Sequence, residues 1–276
     1  MAENKTLKVP GATLYYQVRG SGPVLLMIPG GPTDAAIFAG VVPHLTDRYT
    51  VVAYDPRGNS RSVLDGPAED VDADVHGDDA HRLLTELGDE PAYVFGSSGG
   101  AVIGLNLAAR YPGQVRTLVA HEPPCGRILP DAEEYLAGTE EVYQAYRTGG
   151  VEAGMKRFEE FVGLSGEEQE QPQTPPSPEM MEGWGRIGGN LDFFLGHVLR
   201  PVSGHLPDVA ALRQGPARIV VGVGDASTDR QYAYRSAVAL AEALGRPPAV
   251  FPGDHGGFVA RAEEFAVTLD KVLNAT

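Results

Sequence analysis

The stretch Gly-Ser-Ser-Gly-Gly at residues 96–100 holds the residue types needed for nucleophilic attack on a carbonyl carbon. It satisfies the pattern G-x-S-x-G with Ser98 at the centre, between an apolar strand-like run and a helix-like run. At so tight a turn, the residues two positions before and after Ser98 must be small, because larger side chains would collide across the turn. Gly96 and Gly100 meet that need. The Ser98 hydroxyl would stand beside free N–H groups at the helix start, which suits oxyanion stabilisation.

The same pattern also occurs in glycine-rich loops that only pack a helix on a strand or hold a phosphate. The catalytic interpretation therefore needs a base, because serine is a poor nucleophile at neutral pH. Among the seven histidines, His255 lies in the sequence Phe-Pro-Gly-Asp-His-Gly-Gly-Phe. The flanking glycines would let this loop bring the imidazole over a sheet edge, whereas the alternative is a histidine in a surface turn.

The elements around these residues alternate between two patterns. Short apolar runs that end in turn residues occur at 23–31, 49–60, 91–96 and 115–124, which is typical of strands covered on both faces. Helix-like segments at 72–88 and 100–113 separate them. The alternation predicts an α/β fold, with a mostly parallel central sheet and helices on both faces.

The composition changes after Pro124. Residues 131–166 predict two or three amphipathic helices, residues 167–179 a polar, proline-rich loop, and residues 180–201 a further helical segment. The strand and helix alternation resumes at residue 217. We therefore predict a core formed by residues 1–126 and 207–276, interrupted by a helical cap or lid at residues 127–206.

Composition limits the classes of partner. The 276-residue chain carries 22 basic and 37 acidic residues, a net charge of −15, which disfavours nucleic acid and anionic membrane surfaces.

The single cysteine, Cys125, allows no intrachain disulfide and is expected to be inert, and no zinc-ligand spacing occurs. We expect no metal or cofactor, a small-molecule substrate and a cytoplasmic location, since no run has signal-peptide or membrane-span character. The oligomeric state is open.

The sequence motifs, taken in their order along the chain, resemble those of the α/β-hydrolase superfamily. The Pro-Gly-Gly-Pro at 29–32 is similar to its oxyanion loop, and residues 54–62 are similar to its D-x-R-G-x-G-x-S stretch, with Ser60 at the second glycine. The resemblance spans nearly the whole chain and implies an α/β-hydrolase fold with a cap. It also implies Ser98 as the nucleophile in its elbow, His255 as the base, and the N–H groups of Gly31 and Gly99 as the oxyanion hole.

The acid of the predicted catalytic triad is open. The family position for it, three residues after the last predicted long strand, holds Ser227, which cannot orient an imidazolium. Relatives of the haloalkane dehalogenase type carry the acid at the end of the strand that follows the nucleophile. The residue at that place here is Glu122. A carboxylate in that apolar run would also be costly to bury without a partner. The alternatives are Asp225 and, after it, Asp229.

These residues and the resemblance predict a serine hydrolase that cleaves a small carboxylic ester, thioester or lactone through an acyl-serine intermediate. A serine nucleophile argues against dehalogenase and epoxide hydrolase chemistry. The alternatives are carbon–carbon bond hydrolysis or perhydrolysis with the same triad and, in another class, a ligand-binding signalling protein with slow turnover.

Aromatic residues near the oxyanion loop and in the insertion are candidates for substrate binding. The alternative is that they seat the cap helices on the core. These residues are Phe38, Trp184, Phe193 and Phe194.

Overall fold

The computed structural model describes residues 3–163 and 172–275. Within them, the strands form one nine-stranded sheet. The strands are β1 (Glu3–Val9), β2 (Ala12–Gly20), β3 (Val24–Ile28), β4 (Thr50–Tyr54), β5 (Val63–Leu64), β6 (Ala92–Ser97), β7 (Val115–His121), β8 (Arg218–Gly224) and β9 (Ala249–Phe251).

The sheet has the order β1-β2-β4-β3-β6-β7-β8-β9, and β5 pairs with β2. Every pair from β4 to β9 is parallel, whereas β1, β2 and β5 join by antiparallel pairing. The carboxyl ends of the six parallel strands therefore meet at one edge of the sheet, where ligands bind in open α/β sheets. The predicted mostly parallel sheet is confirmed.

Helices cover both faces of the sheet and form the segment between β7 and β8. The helices of the described residues are α1 (Ala73–Leu87), α2 (Gly99–Arg110), α3 (Ala132–Val162), α4 (Pro178–Phe193), α5 (Leu199–Ser203), α6 (Val209–Gln214), α7 (Tyr232–Ala243), α8 (Gly257–Ala260) and α9 (Ala262–Asn274). A π-helical turn, Phe194–Val198, joins α4 to α5. Short 3-10 turns lie at Ala35–Phe38 and Val42–His44.

Alternation along each strand divides the core into two layers. In β3, Leu26 and Ile28 belong to the apolar cluster that includes residues of α1, α2 and α7, whereas Leu25 and Met27 belong to the cluster that includes residues of α9. Side chains in a strand point alternately to the two faces, so a run that is apolar at every position buries both. This is why the continuous apolar runs in the sequence became central strands.

The segment between β7 and β8 is helical, as predicted. Its first part, α3 (Ala132–Val162), consists of two helical runs that meet at a kink at Gly150, whose φ of 74° and ψ of −169° are non-helical. This agrees with the two or three helices expected there. Residues 167–171 of the predicted proline-rich loop lie outside the described residues, and α4 begins after Ser177, which caps it. The division into core and cap stays a prediction.

No helix in the described residues combines the length and apolar character that crossing a membrane requires.

A buried ion pair ties the loop after β4 to α1. The guanidinium of Arg57 donates from Nε and Nη2 to the two carboxylate oxygens of Asp79, at 2.6 and 2.5 Å. The Asp79 side chain is 1% exposed, and burial raises the pKa of its carboxyl despite the pairing. Each charge therefore depends on the other to remain inside the fold.

We expect Arg57→Leu to lower the free energy of unfolding by about 3–5 kcal/mol, because it leaves the Asp79 carboxylate buried without its partner. Urea unfolding monitored by circular dichroism measures the change. The control is Arg110→Leu, which removes a half-exposed pair with Asp78 and half-exposed contacts with Asp74, and should cost about 1 kcal/mol or less. Equal losses in the two variants would contradict the importance of the buried pair.

Candidate active site

Ser98 lies at the sharp turn between a strand and a helix. β6 ends at Ser97 and α2 begins at Gly99, so Ser98 alone makes the turn, with φ 55° and ψ −125°. This is a left-handed conformation that costs a non-glycine residue about 1–3 kcal/mol. Its N–H donates to the carbonyl of His121 at 2.9 Å, which fixes the turn against β7. Such strain is typical of functional sites.

Two glycines make this turn sterically possible. A Cβ on Gly96 would lie 2.3 Å from the carbonyl oxygen of Gly100, and a Cβ on Gly100 would lie 2.1 Å from that of Ile28. Both distances are far inside van der Waals contact, and the obstructing atoms belong to the backbone. Any side chain at either position would therefore force α2 away from the sheet.

The loop after β3 lies directly against Ser98. A Cβ on Gly30 would lie 2.5 Å from the carbonyl oxygen of Ser97 and 2.7 Å from Cβ of Ser98. The N–H nitrogen of Gly31 is 3.5 Å from the position that a Cβ on Gly99 would take. The structure thus brings the two predicted oxyanion donors, Gly31 and Gly99, together beside the predicted nucleophile.

His255 is held by a buried carboxylate. Its Nδ1 lies 2.6 Å from Oε2 of Glu122, and Oε1 of Glu122 accepts from the N–H of Gly224 at 2.9 Å. Glu122 is completely buried, whereas the His255 side chain keeps 29% of its surface exposed. Glu122 immediately follows His121, whose carbonyl holds Ser98, so the predicted base and nucleophile share one sheet edge.

Glu122 and His255 each shift the pKa of the other. Burial alone would raise the pKa of Glu122, but the hydrogen bond and positive charge of His255 outweigh it and lower that pKa to about 2. Burial alone would lower the pKa of His255, but the hydrogen bond and charge of Glu122 raise it above 6.5. Glu122 is therefore ionised at neutral pH and stabilises a proton on His255.

The other candidate acids lie elsewhere. Asp225 is exposed and its Oδ1 accepts from the N–H of Gly253 at 2.8 Å, so it braces the loop that leads to His255 without contacting the ring. Asp229 is exposed. Ser227, at the usual family position, has its hydroxyl oxygen buried. Of the carboxylates left open by the sequence, Glu122 is the one that the structure joins to the imidazole.

The four candidate aromatic residues are dispersed. Phe38 is completely buried against Phe95 and Phe258 in the core, and Phe194 packs on Phe158 within the helical insertion. The structure thus shows packing contacts for these two, and a contact with substrate stays a prediction.

The other two aromatic candidates, Phe193 and Trp184, lie on α4. Phe193 is buried against Gly58 of the loop after β4, and Trp184 is 39% exposed. For both, a contact with substrate stays a prediction.

Comparison with known proteins identifies the family. Residues 23–169, more than half of the chain, match the family model described as alpha/beta hydrolase fold. The chain belongs to the α/β-hydrolase family. This hydrolase is 38% identical over 279 residues to the Uncharacterized hydrolase YraK of Bacillus subtilis (strain 168), a match covering 98% of this chain and 96% of that protein.

Solved structures share the same fold. A hydrolase from Pseudomonas aeruginosa PA01 superimposes with a TM-score of 0.73 at 20% identity, over 99% of this chain and 98% of that one. The enol-lactonase from Burkholderia xenovorans LB400 gives 0.69 at 19% identity, over 98% and 100% of the two chains. The predicted resemblance and fold are confirmed.

Polar side chains that the sequence did not single out hold the backbone of residues 30–33, which include the predicted oxyanion donor Gly31. The Thr33 hydroxyl donates to the carbonyl of Gly30 at 2.6 Å. The Asn59 amide donates to the carbonyls of Gly31 and Thr33 at 3.3 and 3.0 Å, and the Asn190 amide to that of Pro32 at 2.7 Å. Only Asn59 carried a signal, since it lies within the family-like stretch at 54–62.

Among the residues that the structure describes, no group of three or more His, Cys, Asp or Glu side chains is arranged to hold a metal ion.

We expect Glu122→Gln to lower the pKa of His255 by at least about one unit, because the nearby negative charge that favours the imidazolium is removed while the burial penalty remains. NMR titration of the ring signals measures this pKa. The matched control is Asp225→Asn, which should change it much less, since Asp225 bonds to the loop backbone and not to the ring. A larger shift in the control would reassign the acid.

Proposed function

We propose that the protein is a serine hydrolase that cleaves small carboxylic esters, thioesters or lactones through an acyl-serine intermediate. The observation that carries this proposal is the hydrogen bond between His255 and the buried Glu122, at the sheet edge where Ser98 turns from strand to helix. An imidazole oriented by a carboxylate, at the sheet edge that also carries a strained and partly exposed serine, is an arrangement that can activate a hydroxyl.

In the first step, His255 accepts the Ser98 proton through Nε2 as the serine oxygen forms a bond to the carbonyl carbon. The carbonyl π electrons move to its oxygen, and that oxyanion is held by the N–H groups of Gly31 and Gly99. Glu122 stabilises the imidazolium and fixes its tautomer. The oxyanion then re-forms the carbonyl, the bond to the leaving group breaks, and His255 gives the leaving group its proton.

In the second step, water replaces the leaving group. His255 takes a proton from water as the water oxygen attacks the acyl carbon, and the same two N–H groups hold the second oxyanion. Collapse breaks the bond to Ser98, which regains its proton from His255, and releases the carboxylic acid. The chemistry needs His255 neutral at the start of each step.

The position of the oxyanion donors supports the same reaction. The peptide between Gly30 and Gly31 is trans, so its N–H points opposite to its carbonyl. That carbonyl accepts from both the hydroxyl and the N–H of Thr33, at 2.6 and 3.3 Å, and these bonds fix the direction of the Gly31 N–H. A preorganised donor stabilises charge that develops in the transition state without rearranging.

We expect Ser98→Ala to lower kcat for p-nitrophenyl acetate by on the order of 10³-fold or more, because the acyl acceptor is lost. Labelling by a fluorophosphonate probe, read by mass spectrometry, should disappear as well. The matched control is Ser97→Ala, which leaves G-x-S-x-G intact and should retain turnover and labelling. Labelling of Ser98→Ala at the wild-type rate would refute the assignment of the nucleophile.

We expect Thr33→Val to lower kcat about tenfold with little change in KM, because the shorter of the two hydrogen bonds that fix the direction of the Gly31 N–H is lost while the N–H itself remains. Thr33→Ser keeps the hydroxyl and should restore most of the rate. Steady-state kinetics with p-nitrophenyl acetate provide both constants. If the valine and serine variants were equally impaired, the hydroxyl would have no part in positioning the donor.

A further inference from the structure

One face of α4 carries polar side chains that bond to other elements. Glu179, Arg186 and Asn190 are separated by seven and four residues, which places them on the same side of a helix. The buried apolar side chains of α4 are Met180 and Phe193, and the apolar clusters of the described residues include neither of them. The position of α4 therefore depends strongly on its polar contacts.

Two ion pairs hold the first part of this face. Nη2 of Arg19 on β2 lies 2.6 Å from each carboxylate oxygen of Glu179, and Nε of Arg186 donates to Oδ2 of Asp34 at 2.6 Å. Asp34 is almost completely buried. Burial alone would raise the pKa of its carboxyl, but the hydrogen bonds that it accepts, first from Arg186, lower that pKa. A charged contact thus joins α4 to the chain just after the Pro-Gly-Gly-Pro loop.

The third contact of this face, made by Asn190, is connected to the predicted oxyanion donor through two peptide groups. The Asn190 amide donates to the carbonyl of Pro32 at 2.7 Å, and the N–H of the same peptide, that of Thr33, donates to the carbonyl of Gly30 at 3.3 Å. The peptide with this second carbonyl also carries the Gly31 N–H. Both peptides are trans, so each N–H points opposite to its carbonyl. The series of hydrogen bonds therefore ends at the Gly31 N–H.

Such a series affects both the direction and the strength of its last donor. A hydrogen bond to a peptide carbonyl restrains the plane of that peptide and polarises its N–H, which makes the N–H a better donor. Asn190 is itself buried, so removing its amide would leave the Pro32 carbonyl without that partner. The donor that meets the charge developing in the transition state would then be weaker and less fixed in direction.

The sequence of α4 makes the helix weak on its own. Four of its sixteen residues are glycine, and a glycine in a helix interior costs about 1 kcal/mol relative to alanine. At Gly185, Gly188 and Gly189, an added Cβ would meet no neighbouring element of the described residues within 4 Å, so packing does not require glycine there. The order of α4 therefore depends on its contacts with the rest of the protein.

We propose that Asn190 is a positioning residue for the Gly31 N–H, and that the ion pairs of Glu179 and Arg186 keep it in place by holding α4 against the sheet. The inference rests on the proposed function. It makes the oxyanion hole depend on a helix from the segment between β7 and β8. Displacing α4 would slow both formation and hydrolysis of the acyl-serine, because both steps pass through an oxyanion.

The first test removes the Asn190 amide. We expect Asn190→Ala to lower kcat for p-nitrophenyl acetate about tenfold with little change in KM, because the donor acts on the oxyanion and not on the bound ester. The affinity for a trifluoromethyl ketone, whose adduct with Ser98 carries an oxyanion, should fall by a similar factor, while the pKa of His255 should not change. The control is Asp192→Ala, which removes an exposed bond from Tyr146 to the same helix and should retain kcat and the ketone affinity.

The second test follows the Thr33 N–H by amide hydrogen exchange, which measures how often its bond to Gly30 opens and needs no turnover. Glu179→Gln weakens a partly exposed ion pair and should speed this exchange about two- to fivefold. Asn190→Ala should speed it as well, and Glu179→Gln should add little in that background, since its effect passes through Asn190. The control is Glu182→Gln, which makes the same change of charge at an exposed position of α4 and should leave the exchange unchanged.

A kcat within about twofold of the wild-type value in folded Asn190→Ala would overturn the inference. So would equal exchange rates at Thr33 in Glu179→Gln and Glu182→Gln, even if Asn190→Ala failed to fold. Both results would leave ester turnover and fluorophosphonate labelling of Ser98 intact. If the wild-type protein showed neither turnover nor labelling, the proposed function would fail, and the inference with it.

Discussion

The hydrogen bond between Glu122 and His255 is the interaction on which the rest of the site depends. An unpaired carboxylate buried as completely as Glu122 would be destabilising by several kcal/mol. Here one oxygen accepts from His255 and the other from the Gly224 N–H, so both are occupied by groups from other elements. Separating these groups would leave the Glu122 carboxylate buried and unpaired. This energetic cost keeps the loops after β7, β8 and β9 together and places the imidazole at the sheet edge.

Backbone strain is concentrated at the same edge. Ser98 and Glu122 follow the ends of neighbouring strands, and both are non-glycine residues with positive φ, at 55° and 45°. Two such conformations cost about 1–3 kcal/mol each and persist only where the surroundings leave no alternative. The N–H of Ser98 bonds to the carbonyl of His121, and that of Glu122 to the carbonyl of Gly222, each at 2.9 Å. The parallel sheet therefore supplies the constraint that keeps both residues strained.

The sequence predicted the features that depend on residues close together in the chain. Apolar runs ending in turn residues predicted the parallel strands, and Gly96 and Gly100 predicted a turn that tolerates no side chain. The acid could not be chosen from sequence, because the contact joins residues 122 and 255 across two intervening strands. The hydrogen bond from the Thr33 hydroxyl to Gly30 depends on loop conformation. The His76 ring, which has no hydrogen-bond partner among the described residues, depends on packing between helices. Patterns of single residues carry no signal for either.

Helix α4 contributes to the shape of the Pro-Gly-Gly-Pro loop at residues 29–32. The amide of Asn190 on α4 donates to the carbonyl of Pro32 and to the hydroxyl of Ser60, while its oxygen accepts from the Ser60 N–H at 2.7 Å. Asn190 is 3% exposed, so displacing α4 would leave these polar groups to find new partners. Ser60 itself holds φ at 52°, where the family-like pattern has glycine. The amide of Asn190 supports this conformation, and the insertion thereby stabilises the loop that presents Gly31.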